Sequence, residues 1–181
     1  MSVPTFWGVI LFTVALAALV AGDPTTIFTV HSAKVTTNPN DYFDPWSVEF
    51  AKGKRSSLIS AKLPTKKDVP DNMQAKLYAK MEGQEPVEYT GTLCEGLEEE
   101  LVGKTFGNAG IPKGKFPKEC PFIAGDWGIS QWDPPVHVIP PGVPDGRVTG
   151  YIQLGEEGKE PYIQIDYEVE LSHELPMPFG R

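Results

Sequence analysis

Two cysteines, Cys94 and Cys120, are the residues of this chain with the clearest chemistry to perform, since they are its only thiols. In an oxidising compartment such a pair closes a single disulfide. On a chain-entropy argument, a loop of that size stabilises a fold by roughly 3–4 kcal/mol. One bridge does not make a disulfide scaffold, so a hydrophobic core has to do most of the stabilising. The other reactive side chains do not converge. His31, His137 and His173 are scattered without ligand spacing and no C-x-x-C pair accompanies them, which argues against a metal site. Asp126, Asp133, Asp166 and Glu168 can be imagined as carboxylate pairs for acid–base work, but Asp166 and Glu168 share the polar face of an alternating run and read as solvated. There is no G-x-S-x-G elbow, no H-E-x-x-H and no phosphate-cradling glycine loop. The expectation is a protein that is not an enzyme and needs no cofactor. Lys66-Lys67 and Lys113 with Lys115 form small basic clusters that surface solubility explains, contact with an acidic lipid headgroup being the alternative.

What precedes the cysteines sets their compartment. An uncharged apolar stretch from Phe6 to Val20, closing on Ala21 and Gly22, reads as a signal peptide over residues 1–22. That run is shorter than the roughly 20 residues needed to span a bilayer, and no second run of spanning length follows it. Residues 23–181 are therefore expected to be exported, without an integral membrane segment, as one domain with a sizeable core. The formal net charge of −8 argues against a nucleic-acid partner, whose phosphates the whole-protein field repels. It argues equally against long-range attraction to anionic membranes, so any lipid has to be met through a local apolar or basic patch.

The elements that position these groups read as strands. Met73, Ala75, Leu77, Ala79 and Met81 alternate with polar residues, as do Ile163, Ile165, Tyr167, Val169 and Leu171. This is the period of a half-buried antiparallel sheet. Weaker strands are read at Thr26 to Val35, Trp46 to Phe50, Ser56 to Leu63, Val87 to Thr90 and Val148 to Leu154, with a hairpin connection at Gly155 to Gly158. Leu97, Leu101 and Val102 recur at helical spacing between Cys94 and Gly103, which predicts one short helix ended by Gly103, with Glu98 to Glu100 as its solvated face. From Phe106 to Gly146 the chain is dense in glycine and proline, leaving room only for short edge strands around Trp127 to Trp132 and Val136 to Ile139. The fold class is mainly β, an antiparallel β-sandwich or β-cup.

The order of these features resembles the arthropod secreted proteins related to the GM2 ganglioside activator, including the CheB chemosensory group, and more distantly the ML lipid-recognition domains. Carrying the resemblance are Gly53-Lys54-Arg55, the strands Ser57 to Leu63 and Met73 to Met81, and Cys94 heading the acidic segment. Pro117-Lys-Glu-Cys120-Pro121-Phe122 with Gly125-Asp-Trp127 follows, then Ile139-Pro-Pro-Gly142 leading into Arg147 to Leu154. Relatives commonly carry further cysteine pairs, whereas this chain has one. The resemblance implies a cup whose sheets splay to leave an apolar cavity for lipid tails. On that reading Leu58, Met73, Leu77, Met81, Ile163, Ile165 and Tyr167 are the candidates to line the cavity, and Phe122, Trp127 and Trp132 to form an aromatic rim that meets ligand or membrane. The competing reading of the same residues is a filled core with the tryptophans plugging one sheet end.

The function this implies is secreted, non-enzymatic binding of a lipid or other hydrophobic small molecule, as a chemosensory accessory protein or glycolipid carrier, with a receptor or hydrolase as partner. The alternatives are an extracellular interaction module with a filled core and an activator that presents lipid to a hydrolase. For the cysteines, Cys94→Ser and Cys120→Ser are each expected to lower stability by a similar amount, up to about 3–4 kcal/mol, and the double variant by little more. Denaturant midpoints check this, and additive losses would show that the two sulfurs are not partners.

Overall fold

The computed structural model describes residues 23–100 and 102–174, so the expected signal peptide and Leu101 lie outside the described residues. Among the described residues nine strands form two antiparallel sheets. One contains β1 (Thr26–Thr37), β9 (Ile163–His173), β8 (Gly146–Gly155), β4 (Gln74–Met81) and β5 (Val87–Thr92), in that spatial order. The other contains β2 (Ser47–Lys52), β3 (Ser57–Thr65), β7 (Gly125–Trp132) and the two-residue β6 (Gly110–Ile111). Two short helices, α1 (Leu93–Glu98) and α2 (Gly103–Asn108), follow β5.

Alternation decides which side chains face the space between the sheets. Leu154 opposes Ile163 in the register of β8 with β9, and both are buried in the main core with Leu63 and Ile129 of the other sheet. The inner face of the larger sheet can then be followed as rows across the strands. One row runs Tyr89, Leu77, Ile152, Ile165, Val35, and the next Val87, Ala79, Gly150, Tyr167, Ala33. In β1 the register slips at His31, whose ring nitrogen lies 2.7 Å from a Glu170 carboxylate oxygen. This bulge returns Val35 to the face occupied by Phe28 and Val30 on the other side of the slip.

The main core gathers at one end of the strands. Met73 is fully buried, and Phe122 is 4% exposed. Phe116 stands between them and the α2 side chain Phe106, making edge-to-face contacts with Phe122, Trp127 and Phe106 at 5.8–6.2 Å between ring centroids. The Cys94–Cys120 disulfide joins α1 to the segment that carries Phe116 and Phe122, with its Cα atoms 5.7 Å apart. A second, smaller group of buried residues, Val30, Met81, Val169 and Leu171, lies toward the other end of the larger sheet.

Several sequence expectations change. The single helix from Cys94 to Gly103 is two helices, because Glu99 adopts extended backbone and breaks the first. Thr92 caps that first helix in a reciprocal box: its hydroxyl accepts from the Glu95 N–H at 3.1 Å, and the Glu95 carboxylate accepts from the Thr92 N–H at 2.7 Å. Gly103 opens α2 rather than ending α1. A Cβ there would lie 2.2 Å from the Gly96 carbonyl oxygen, so only glycine lets the second helix start against the first. The acidic run Glu98 to Glu100 is exposed, as expected, and the Glu99 carboxylate accepts from the Val102 and Gly103 N–H groups at 2.5 and 3.3 Å where α2 begins. Trp127 to Trp132 belong not to an edge strand but to one flanked by β3 and β6, and Val136–Val138 form a 3-10 turn, the Val138 N–H donating to the Pro135 carbonyl at 3.0 Å.

Gly150 is the position where the larger sheet is least tolerant. The Tyr167 ring lies over it to donate its hydroxyl to the Tyr78 carbonyl at 3.0 Å, and a Cβ would stand 2.0 Å from that same carbonyl oxygen. Gly150→Ala is expected to cost about 1–3 kcal/mol, as overpacking does. Tyr167→Phe should cost nearer 1 kcal/mol, for one hydrogen bond. Urea midpoints of the two variants separate the effects, and equal losses would refute the steric account.

Candidate ligand-binding site

Two hydrogen bonds join the sheets along one edge. The Phe28 N–H of β1 donates to the Arg55 carbonyl at 2.8 Å, and the Val30 N–H donates to the buried Ser57 hydroxyl at 2.9 Å. Between these contacts and the end of the β2–β3 hairpin the chain leaves an open groove of about 500 Å³, within the usual size of small-molecule sites. Strand alternation supplies its apolar wall. Phe50 lies opposite Ile59 and Lys52 opposite Ser57 in the register of β2 with β3, so Phe50 and Lys52 share one face of β2 while Glu49 takes the other. Facing them across the groove are Phe28 and Val30 of β1. Phe50 remains 41% exposed, a large aromatic surface that the fold leaves in contact with water.

The hairpin turn brings charge to the same place. Lys52, Lys54 and Arg55 all line the groove, and no carboxylate does. The Arg55 guanidinium is already engaged, donating to the Pro24 carbonyl and lying 3.7 Å from Glu174. Deeper in, the buried Ser56 hydroxyl donates to the Asp133 carboxylate.

None of the seven residues expected to line a cavity lines this groove. Met73 and Ile163 are fully packed in the main core, and Met81 is buried with the smaller group. Leu58 corrects the expectation most directly. It alternates with Leu63 and Ser57, so it stands on the far face of β3, close to Gly53. Leu77, Ile165 and Tyr167 do lie on the inner face of the larger sheet and are half-buried there. Burial pushes the Tyr167 phenol up, which keeps it protonated as the donor to Tyr78. The rim expectation fails for Phe122, which is core. Trp127 and Trp132 are half-buried against that core, their indole N–H groups donating to the Ile123 carbonyl at 2.7 Å and the Thr105 hydroxyl at 3.1 Å.

The carboxylates considered for acid–base work are dispersed among separate partners. Asp166 accepts from the Gln164 amide at 2.7 Å and Glu168 pairs with Arg147 at 2.6 Å. Of the basic clusters read as headgroup alternatives, Lys66 donates to the Asn40 carbonyl at 2.8 Å, and Lys67 sits over the Tyr42 ring at 5.5 Å. The groove cluster was missed as a site although its signal is present: an apolar–charged alternation, Phe50 then Lys52, running straight into the basic turn Gly53-Lys54-Arg55. Among the described residues no helix is long and apolar enough to cross a membrane. No protein-family model matches the chain, and no curated protein matches its sequence.

The difference between core and groove aromatics is measurable. Phe122→Ala is expected to cost about 3–5 kcal/mol. Phe50→Ala should stay within about 1 kcal/mol, since much of its ring is already hydrated. Thermal or urea unfolding of the two variants tests this, and a large loss at Phe50 would mean that the residue is structural.

Proposed function

We propose that this chain is a secreted, non-enzymatic binding protein for a lipid or other hydrophobic small molecule, and that the groove between β1 and the β2–β3 hairpin is where the ligand enters. A single observation carries the reading: Phe50, Phe28 and Val30 bound an open space of about 500 Å³ at the junction of two sheets. Phe50 offers a ligand apolar surface that is already open to water, and each methylene of a ligand moved out of water onto that wall contributes on the order of 0.8 kcal/mol. The half-buried row of Leu77, Ile152 and Ile165 offers further apolar surface on the inner face of the larger sheet. The apolar N-terminal run supports export, and the disulfide is compatible with an oxidising compartment. The resemblance to activator-like and chemosensory lipid binders points the same way.

One observation favours the competing reading of an interaction module with a filled core: Met73 and Ile163, expected to line a cavity, and Phe122, expected at its rim, are all buried in the main core. Native mass spectrometry of protein purified from its source separates the two, since a carrier retains co-purifying lipid. In solution, an uncharged naphthylamine probe is expected to bind saturably. Phe50→Asp should weaken it by about tenfold or more, through the loss of apolar contact and the introduction of charge. A protein that excludes every apolar probe and purifies free of lipid would sink the carrier reading.

A further inference from the structure

We infer that the groove selects an anionic single-chain amphiphile, whose headgroup is held by Lys52 and Lys54 and whose tail lies over Val30 and Phe50. The inference rests on the groove being the ligand site proposed above, and it adds the chemical class of the ligand. The argument begins with charge. Acidic residues outnumber basic ones 24 to 16 in the chain, yet the groove is lined by three basic side chains and no acidic one. Solvation does not require that bias, because a surface cation in an acidic protein is normally interspersed with carboxylates.

The state of the three cations differs in a way that points to a ligand. Arg55 has protein partners in Pro24 and Glu174. Lys52 and Lys54 are exposed and take part in no ion pair among the described residues. Their placement against the apolar wall has the geometry of an amphiphile. Lys52 follows Phe50 by two residues on one face of β2, a spacing of about 6.5–7 Å along a strand, so an ammonium flanks the end of the aromatic surface. Lys54 adds a second ammonium from the turn. Phe28 meets the turn at Arg55 and Ser56, level with the lysines, so a carboxylate or phosphate held by them leaves its chain directed past Val30 along Phe50. The net charge of −8 works against anions at long range, so selectivity has to come from these short contacts and has to weaken with salt.

The test compares ligands with one chain and different heads. Dodecanoate, dodecanol and dodecyltrimethylammonium displace the uncharged naphthylamine probe from the full chain, all below micelle-forming concentrations and at mildly alkaline pH. Dodecanoate is expected to bind about five- to tenfold more tightly than dodecanol, and the cationic amphiphile more weakly than either. Added salt should narrow the gap. Lys52→Gln with Lys54→Gln should remove the gap, dodecanoate losing more affinity than dodecanol, circular dichroism verifying that the variant is folded; Lys54→Gln alone should narrow it by about half. Equal affinities for dodecanoate and dodecanol, or a preference that survives in the double variant, would overturn the headgroup assignment and leave the hydrophobic-ligand reading standing. Failure of all three compounds to displace the probe, or of the probe to bind, would overturn both. Sedimentation with phosphatidylglycerol vesicles but not phosphatidylcholine vesicles, without uptake of monomeric dodecanoate, would assign the lysines to a membrane surface and also overturn the inference.

Discussion

The arrangement of the two sheets depends on the seam between β1 and the start of β3. A strand at the edge of a sheet has one row of backbone groups without strand partners, and β1 spends two of its N–H donors, at Phe28 and Val30, on Arg55 of the β2–β3 turn and Ser57 of β3. These bonds fix how far apart the sheets stand at that edge. The buried Ser57 hydroxyl matters because it takes the place of a backbone acceptor, which lets the sheets meet without forming a continuous ladder. A groove can exist here because the sheets are pinned together but not zipped.

Along the strands the molecule is built unevenly. The main core, the edge-to-face aromatic chain through Phe116 and the disulfide all occupy one end, where Met73 and Ile163 are sealed from water. Toward the seam the buried set thins to Val30, Met81, Val169 and Leu171, and Phe50 stands open. Rigidity is concentrated away from the candidate site, the distribution expected when a scaffold holds a surface that has to accept something.

How much of this was legible in the sequence follows from how regular each stretch is. β4 and β9 could be read because nothing interrupts their period of two, so Leu77, Ile165 and Tyr167 fall on the inner face as expected. β1 gave a weaker signal because the bulge at His31 shifts the alternation by one, and β7 because a second irregularity falls near Gln131, which has a φ of 49°. The helix pair was hidden by its own spacing: Leu97, Leu101 and Val102 in the sequence suit one helix, Leu97 and Leu101 being four residues apart, and only the close approach of Gly103 to the Gly96 carbonyl shows why the chain breaks there. The groove was the least legible feature. Phe122, Trp127 and Trp132 drew attention as aromatics in a glycine- and proline-rich stretch, but they are held by contacts distant in sequence, whereas Phe50 belongs to a strand too short and polar to stand out. Burial is a property of what lies opposite, and a single chain read in order does not state it.

The pairing of β1 with β9 has a consequence for how the chain reaches this structure. Among the described residues the one strand that pairs with β1 in its sheet is β9, from Thr26 with His173 to Thr37 with Ile163, beside a single bridge from Phe28 to Ser56, and the Glu174 N–H closes the ladder on the Thr25 carbonyl at 2.9 Å. Such contacts have nearly the largest sequence separation the domain allows, and loop-closure entropy is spent before they return any stabilisation. β1 therefore has no sheet partner until β9 has been synthesised, and the seam that depends on β1 is completed late. The hairpins β2–β3 and β4–β5 and the capped helix α1 are local and can form early. The order of assembly is thus opposite to the order of synthesis for the strand that matters most: the first to emerge is the last to be placed.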